Sequence, residues 1–571
     1  MYSTVVCLLS AWASLTAAQT STYYSPGVPT AEPIAGDYTG VYRPRVHFSP
    51  PTNFTNDPNG MCPVVNGLVL LRHAYTRERM FKDANGTWHL YYQYNPTEPV
   101  AGNQHWGHAT SQDLYHWENQ KIAIWPPNNT TFVYSGSAVV DTNNTSGFFP
   151  NQTNGVVAIY TLAHQTTGAG VQNQNIAYSR DGGYTFVTYA NNPVIDVHSN
   201  QFRDPKVIWH SATQKWAMVV SYATDFVIGI YTSPNLKDWT HASNFSHHGL
   251  LGLQYECPNL VEMPMLNSTS TMYLLQISIN PGAPLGGSIS QYFPGSFNGT
   301  HFAAVDGAAR INDFGKDNYA GQFFYGIPGD ENQVSLAWAS NWQYTSLVPT
   351  GVTEGWRSQM SLPRRNYLAN VTSIGYDLIS TPYAIESIFA QELAYNSSLG
   401  NATLLLDYAS TSGALYFSAN ITHLTPSTLQ GTVNLTFTSS VSGEFISLGS
   451  PVNGDTWIDR SHTSGFENPY FNGKFSANGQ FDSSTGTWSI SGVIDRSILE
   501  VFVNGGRQSA TNTFYSDSPL DTLRVGVAGV AGSAGVSVGV WALEDTWAQQ
   551  ADGNGTVVGN ATMGSGGGYR F

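Results

Sequence analysis

Three acidic segments stand far apart in a chain of which only 11% of residues are charged: Asn56-Asp57-Pro58-Asn59-Gly60, Arg203-Asp204-Pro205 and Glu256-Cys257-Pro258. A carboxyl held near a packed interior is costly unless hydrogen bonds or an opposite charge compensate it. Three of them, each beside a proline that reads as a turn former, therefore point to a prearranged site. Two carboxyls and a third polar group suffice for glycoside cleavage, one to donate a proton and one to attack or to activate water. Taken singly, each has a plainer reading: an Asx-turn aspartate, a surface glutamate and, for Cys257, a small packing residue without a His partner.

Elements must hold these groups together. At 571 residues the chain exceeds one ordinary core, and two domains are expected. With 13% aromatic residues and 56 glycines the composition suits short strands and turns, so the fold class is all-β. Ser111-Gln112-Asp113-Leu114 before Trp117, Ser179-Arg180-Asp181-Gly182 before Phe186 and Ser233-Pro234-Asn235-Leu236 before Trp239 form a weak repeat at the spacing of propeller blades. Residues 87–95 alternate and predict a half-buried strand, with Trp88, Leu90, Tyr92 and Tyr94 on one face. A helix-like run at 383–390 predicts a linker helix over 381–399, followed by the strand density of a sandwich over 400–550 and a flexible tail over 551–571.

The net charge of −15 disfavours nucleic acid or an anionic membrane as partner, since both are bound through Lys and Arg. A neutral ligand fits better, and Trp and Tyr faces can stack on sugar rings. Residues 1–18 read as a signal peptide ending at Thr16-Ala17-Ala18, and no later segment reaches membrane length, so secretion is expected. Asn-x-Ser/Thr sequons, among them Asn85, Asn129, Asn267, Asn298, Asn396 and Asn434, agree with a glycosylated export product. With Cys7 in the signal, only Cys62 and Cys257 remain, too few for a disulfide framework or a zinc cluster.

Taken in order, Asn56-Asp57-Pro58-Asn59-Gly60, Tyr92-Gln93-Tyr94-Asn95-Pro96, Trp106-Gly107-His108-Ala109, Tyr134-Ser135-Gly136-Ser137, Arg203-Asp204-Pro205, Glu256-Cys257-Pro258 and Ser340-Asn341-Trp342 resemble glycoside hydrolase family 32, in particular its secreted fungal β-fructofuranosidases. The resemblance implies a five-bladed β-propeller catalytic domain over 19–380 and a C-terminal β-sandwich, with Asp495-Arg496-Ser497-Ile498-Leu499-Glu500 as the sandwich signature. It implies retaining cleavage of the terminal fructosyl residue of sucrose, with transfer to sucrose at high concentration. Asp57 would be the nucleophile, Glu256 the acid/base with a raised pKa, and Asp204 the stabiliser of the transition state. Asn56, Gln93, Trp106, Tyr134, Ser135, Arg203 and Trp342 would bind substrate. No cofactor is implied. Exo-inulinase and sucrose fructosyltransferase are the alternatives, with a non-catalytic fructan-binding protein behind them; the oligomeric state is not legible.

One departure stands out. In the family pattern Gly60 runs directly into the strand of residues 80–82, whereas here residues 61–79 intervene, carrying Cys62, Arg72, Arg77 and Arg79. We read this segment as translated from a retained intron, because the codons allowed for Gly60-Met61-Cys62 and Glu78-Arg79 include donor-like and acceptor-like sequences. Such an insert is expected to interrupt the strand that positions Asp57.

Overall fold

Short apolar strands punctuated by Gly, Asn and Ser turns cannot each bury a face alone, and here they do so by stacking sheet upon sheet. The computed structural model describes residues 32–64, 86–165, 170–371, 375–478 and 485–548. Five antiparallel sheets follow one another along the first part of the chain. Their first strands, Asn53–Val64, Thr131–Val140, Phe202–His210, Tyr255–Pro264 and Tyr319–Phe323, contact one another in sequence, and the fifth returns to the first. That ring is a five-bladed propeller, blades I to V. The short strand Trp356–Arg357 closes it by pairing parallel with Asn53 and Phe54 on blade I.

The repeat read from the sequence is the turn between the third and fourth strands of blades I, II and III. In each, a serine hydroxyl and the Asp or Asn two residues on tie down the turn: Ser111 with Asp113, Ser179 with Asp181, Ser233 with Asn235. The position after the acid or amide has positive φ, filled by Leu114, Gly182 and Leu236. The strand Thr87–Asn95 forms as expected but is buried on both faces, not one. Blades are packed on either side, so its His89, Tyr91 and Gln93 face is as enclosed as the other.

Two six-stranded sheets form the C-terminal sandwich around a core that includes Phe417, Leu435, Trp488 and Val540. The expected linker helix over 381–399 is corrected. The last strand of blade V runs to Pro382, only Ile385–Ile388 makes one 3-10 turn, and Phe389–Asn396 is a strand paired with Gly535–Leu543. One or two turns of helix are marginal, and sheet pairing outweighs so short a helical pattern. The signal peptide and the tail expected over 551–571 lie outside the described residues.

The two domains are joined by buried charge. Asp495 and Glu500, both in the signature read from the sequence, face the propeller: Asp495 accepts from the Arg45 and Val46 amides, and Arg364 pairs with Glu500 at 2.6 Å and Asp313 at 3.1 Å. His47 lies 2.7 Å from Asp495 and 3.3 Å from Glu500. Burial opposes its charge, but the two carboxylates outweigh burial and push its pKa up to about 9. Because the folded value lies above the ordinary one of 6.5, the stabilisation is complete below about pH 6.5 and is lost as pH rises through about 9. Stability should therefore fall between these pH values by on the order of 3 kcal/mol, which a drop in melting temperature would report. His47→Gln should lower stability near neutrality and flatten this alkaline slope; an unchanged slope would contradict the assignment.

The departure after Gly60 takes an unexpected form. The first strand is not interrupted: it continues through Met61 and Cys62, both fully buried, and Cys62, Pro63 and Val64 pair with His89, Trp88 and Thr87. Residues 65–79 lie outside the described residues. In this register, joining Gly60 to Met80 sets Phe81, Lys82 and Asp83 opposite the same three partners and leaves Ala84-Asn85-Gly86 as a three-residue hairpin loop ending in glycine, a favoured form. Deleting residues 61–79 should thus preserve the strand and shorten the loop, worth roughly 2 kcal/mol of closure entropy. A raised melting temperature with undiminished hydrolysis is expected; a tenfold loss of hydrolysis would show that the segment is built into the site.

Candidate active site

Each of the five axial strands loses register near the same end of the ring, and the first does so again between Asn59 and Cys62. The shifts fall between Thr55 and Pro58, Val133 and Gly136, Arg203 and Lys206, Glu256 and Asn259, and Tyr319 and Gln322. A bulge leaves a residue unpaired and breaks the side-to-side alternation, so it can re-aim a side chain. Asp57, Ser135, Asp204 and Cys257 all lie within these shifts, and Glu256 at the edge of one. The prolines are explained by the same geometry, since a residue without an N–H is tolerated in a strand at a bulge. Pro58, Pro205 and Pro258 thus sit in strands, not in the turns expected from sequence. Asp204, Cys257 and Ala320 take φ of 66°, 45° and 51°, a sparsely populated backbone region that clusters at functional sites.

The bulges converge on a cavity of about 340 Å³ lined by Asn56, Asp57, Gln93, Tyr134, Ser135, Arg203, Asp204, Glu256 and Trp342, together with four glutamines. Asp57 Oδ2 accepts from Ser135 Oγ at 2.6 Å and from the Cys257 thiol at 3.5 Å. Asp204 Oδ2 accepts from the Cys257 amide at 3.0 Å and lies 3.6 Å from its sulfur. Cys257 therefore packs between two carboxylates, and its own thiol is pushed far up, by burial first and then by those charges. It is a proton donor here, not a nucleophile. Arg203 reaches Glu256 Oε1 at 3.0 Å, and the Tyr319 hydroxyl donates to Glu256 Oε2. Burial raises the Asp57 carboxyl, with the Glu256 charge adding to it and Ser135 opposing. Asp204 is likewise raised by burial, with Arg203 opposing and Glu256 and Asp57 adding.

Trp106 is the exception among the residues expected to line the pocket. It is fully buried, packs against Tyr91 and Tyr160, and donates its indole N–H to the Tyr134 carbonyl at 3.0 Å. Its place is behind the wall, holding Tyr134. Sequence reading missed Gln104, Gln172, Gln201, Gln254 and Tyr319. Three of the glutamines accept from the Arg203 guanidinium, at 3.3, 2.9 and 2.8 Å for Gln172, Gln201 and Gln254. A signal existed for two of them: Gln201-Phe202-Arg203 and Gln254-Tyr255-Glu256 repeat the same spacing on successive blades. Among the described residues no group of three or more His, Cys, Asp or Glu is arranged to hold a metal.

Known proteins share this architecture. Residues 78–382 match the glycosyl hydrolases family 32 N-terminal domain and residues 366–542 its C-terminal domain. The N-terminal match begins after the strand bearing Asp57, which the fold nevertheless brings into the cavity. The chain is 41% identical over 489 residues to an extracellular exo-inulinase of Meyerozyma guilliermondii, covering 83% of this chain and 90% of the relative. It is 39% identical over 506 residues to invertase 2 of Saccharomyces cerevisiae, covering 83% and 89%. A fructofuranosidase from Schwanniomyces occidentalis, solved with fructose, superposes with a TM-score of 0.78 at 36% identity, covering 89% of this chain and 99% of the other. With both domains matched and the sheets in the same arrangement, the chain belongs to glycosyl hydrolase family 32 and is a glycosidase.

Proposed function

We propose that this glycosidase is a β-fructofuranosidase that releases the terminal fructosyl residue of sucrose by a retaining double displacement. The observation that carries the reading is a set of buried polar atoms without protein partners on the cavity residues: Asp57 Oδ1, Asn56 Oδ1 and Gln93 Nε2. Such orphans are costly unless a ligand satisfies them, and they match what hydroxyls and an electrophilic carbon require. Ser135 and Cys257 hold one oxygen of Asp57, leaving Oδ1 for attack at the anomeric carbon. As that bond forms, the glycosidic C–O bond breaks and Glu256 hands its proton to the departing glucose oxygen. Glu256 then takes a proton from water, whose oxygen displaces Asp57 and frees fructose. Asp204 accepts hydrogen bonds from fructose hydroxyls, Arg203 offsets the clustered charge, and Asn56, Gln93, Tyr134, Ser135 and Trp342 complete the pocket.

The test is the initial release of glucose and fructose from sucrose beside fructose release from inulin. Equimolar glucose and fructose, faster on sucrose, supports the reading; faster release from inulin favours an exo-inulinase, and glucose far in excess of fructose a transferase. We further propose that the propeller domain begins near residue 19 and that the mature chain is exported and glycosylated. Exposed sequon asparagines at 129, 267, 298, 396 and 434 support this, as does the relative named as extracellular. Enzymatic removal of N-glycans from the secreted protein should lower its mass.

A further inference from the structure

A second concavity lies between blades I and II and shares no residue with the catalytic cavity. Deep in this junction the facing surfaces are filled, with Tyr160, Leu162 and Ala177 of blade II packed on Tyr91, Trp106 and Ile124 of blade I. Beyond that contact the same face of blade II opens into a groove of about 620 Å³, well within the size range of ligand sites. Half-buried Trp125 forms one wall, braced by the His105 ring at 5.4 Å and 87°. Across it stand Asn173 and Asn175, 5% and 4% exposed, where Asn175 Nδ2 donates to Asn173 Oδ1 at 2.7 Å. With that bond made, the pair that lines the groove still has an amide donor on Asn173 and a carbonyl acceptor on Asn175 to offer a ligand. Asp196 adds a carboxylate at the rim, and no Lys or Arg lines the site. His164 is the one titratable base among the described lining residues, so the groove offers an anion no permanent positive charge while Asp196 repels it. An aromatic face beside paired amides and one acceptor carboxylate is the chemistry that holds a neutral polyhydroxylated ring.

The groove and the catalytic cavity lie back to back on one hairpin. Along the strand Gln172–Ser179, Gln172 accepts from Arg203 and Gln174 donates to the Phe202 carbonyl, whereas Asn173 and Asn175 point the opposite way. Period-two alternation thus gives one strand to both concavities. We propose that the groove is a second binding site for a neutral oligosaccharide, with a sugar ring on Trp125 and its hydroxyls on Asn173, Asn175 and Asp196. Two sources supply such a ligand: a soluble fructan chain, or an N-glycan on Asn128 or Asn129, which immediately follow the lining residue Pro127.

The choice of soluble probe rests on the fructosidase reading. The full-length Asp57→Asn protein is titrated with an inulin-type oligosaccharide by calorimetry, before and after enzymatic removal of N-glycans, with and without Trp125→Ala or Asn173→Ala. Sucrose and inulin kinetics are measured for the two groove variants in the active background. The expected result is a second saturable site that either groove substitution abolishes, with KM for inulin raised about fivefold and kcat/KM for sucrose within about twofold of the parent. A second site that appears only after deglycosylation supports the groove and assigns its resident ligand to the protein's own glycan. An isotherm and an inulin KM indifferent to both substitutions, glycosylated or not, overturn the proposal. Failure of the unsubstituted enzyme to hydrolyse sucrose would count against the fructosidase reading alone, because the titration judges the groove independently.

Discussion

Asp57→Asn lowers kcat on sucrose by about ten-thousandfold or more, while KM changes little, because the amide keeps the size of the side chain and removes only the attacking oxygen's charge. Glu256→Gln costs about a thousandfold on sucrose, within the range of a lost general acid. The two variants separate by rescue. Added azide restores turnover of a fructoside with a good leaving group in Glu256→Gln, since that leaving group needs no proton and azide needs no base, and it restores none in Asp57→Asn. Residual activity above about 1% in a rigorously purified Asp57→Asn protein would remove this residue from the nucleophile's role. Equal azide rescue of both would remove the distinction between the two carboxyls.

Arg364→Met destabilises the protein by about 3–5 kcal/mol. Arg364 is buried, reaches Glu500 at 2.6 Å and Asp313 at 3.1 Å, and also donates to Ser509 and Thr511. Removing it leaves Asp313 without its cation and Glu500 with His47 alone in the wall between propeller and sandwich, which costs more than the pair contributes. Arg364→Lys should recover only part of the loss, because a point charge cannot reproduce the fork that serves four acceptors. Denaturant unfolding of both variants, with limited proteolysis to detect separation of the domains, checks this. A change below about 1 kcal/mol for Arg364→Met would mean that water or neighbouring groups replace the guanidinium. Glu500→Gln combined with Arg364→Met should be milder than Arg364→Met alone, since one of the stranded charges is then gone.

Much of the architecture was legible in the residues. The alternation of residues 87–95 located a strand to the residue, and the serine turns of blades I to III were visible because the same hydrogen bonds recur with the same spacing. Local sequence determines such features because the interactions that make them are local. The linker helix was misread because residues 383–390 carry both a helical pattern and strand-forming side chains, and the partner strand Gly535–Leu543 lies far away in sequence. The strand after Gly60 was misread as interrupted for a related reason. A bulge at Gly60 and Met61 lets the strand resume pairing at Cys62 opposite His89, regardless of where the following residues come from.

For the site, the sequence by itself determined the three carboxyls, their order along the chain and most of the residues around them, because the motifs are short and each keeps its chemistry within a few positions. Only the tertiary structure decided which way they point. Five bulges at one end of the ring bring Asp57, Asp204 and Glu256 together, regular pairing of the strand His105–Ser111 leaves Trp106 in a supporting place behind the pocket, and the convergence of the blades adds Tyr319 and a set of glutamines. Closure of the ring also decided that a single strand serves two concavities. A bulge is a relation between paired strands, and a cavity is a relation among blades, so neither is written in any one segment of the chain.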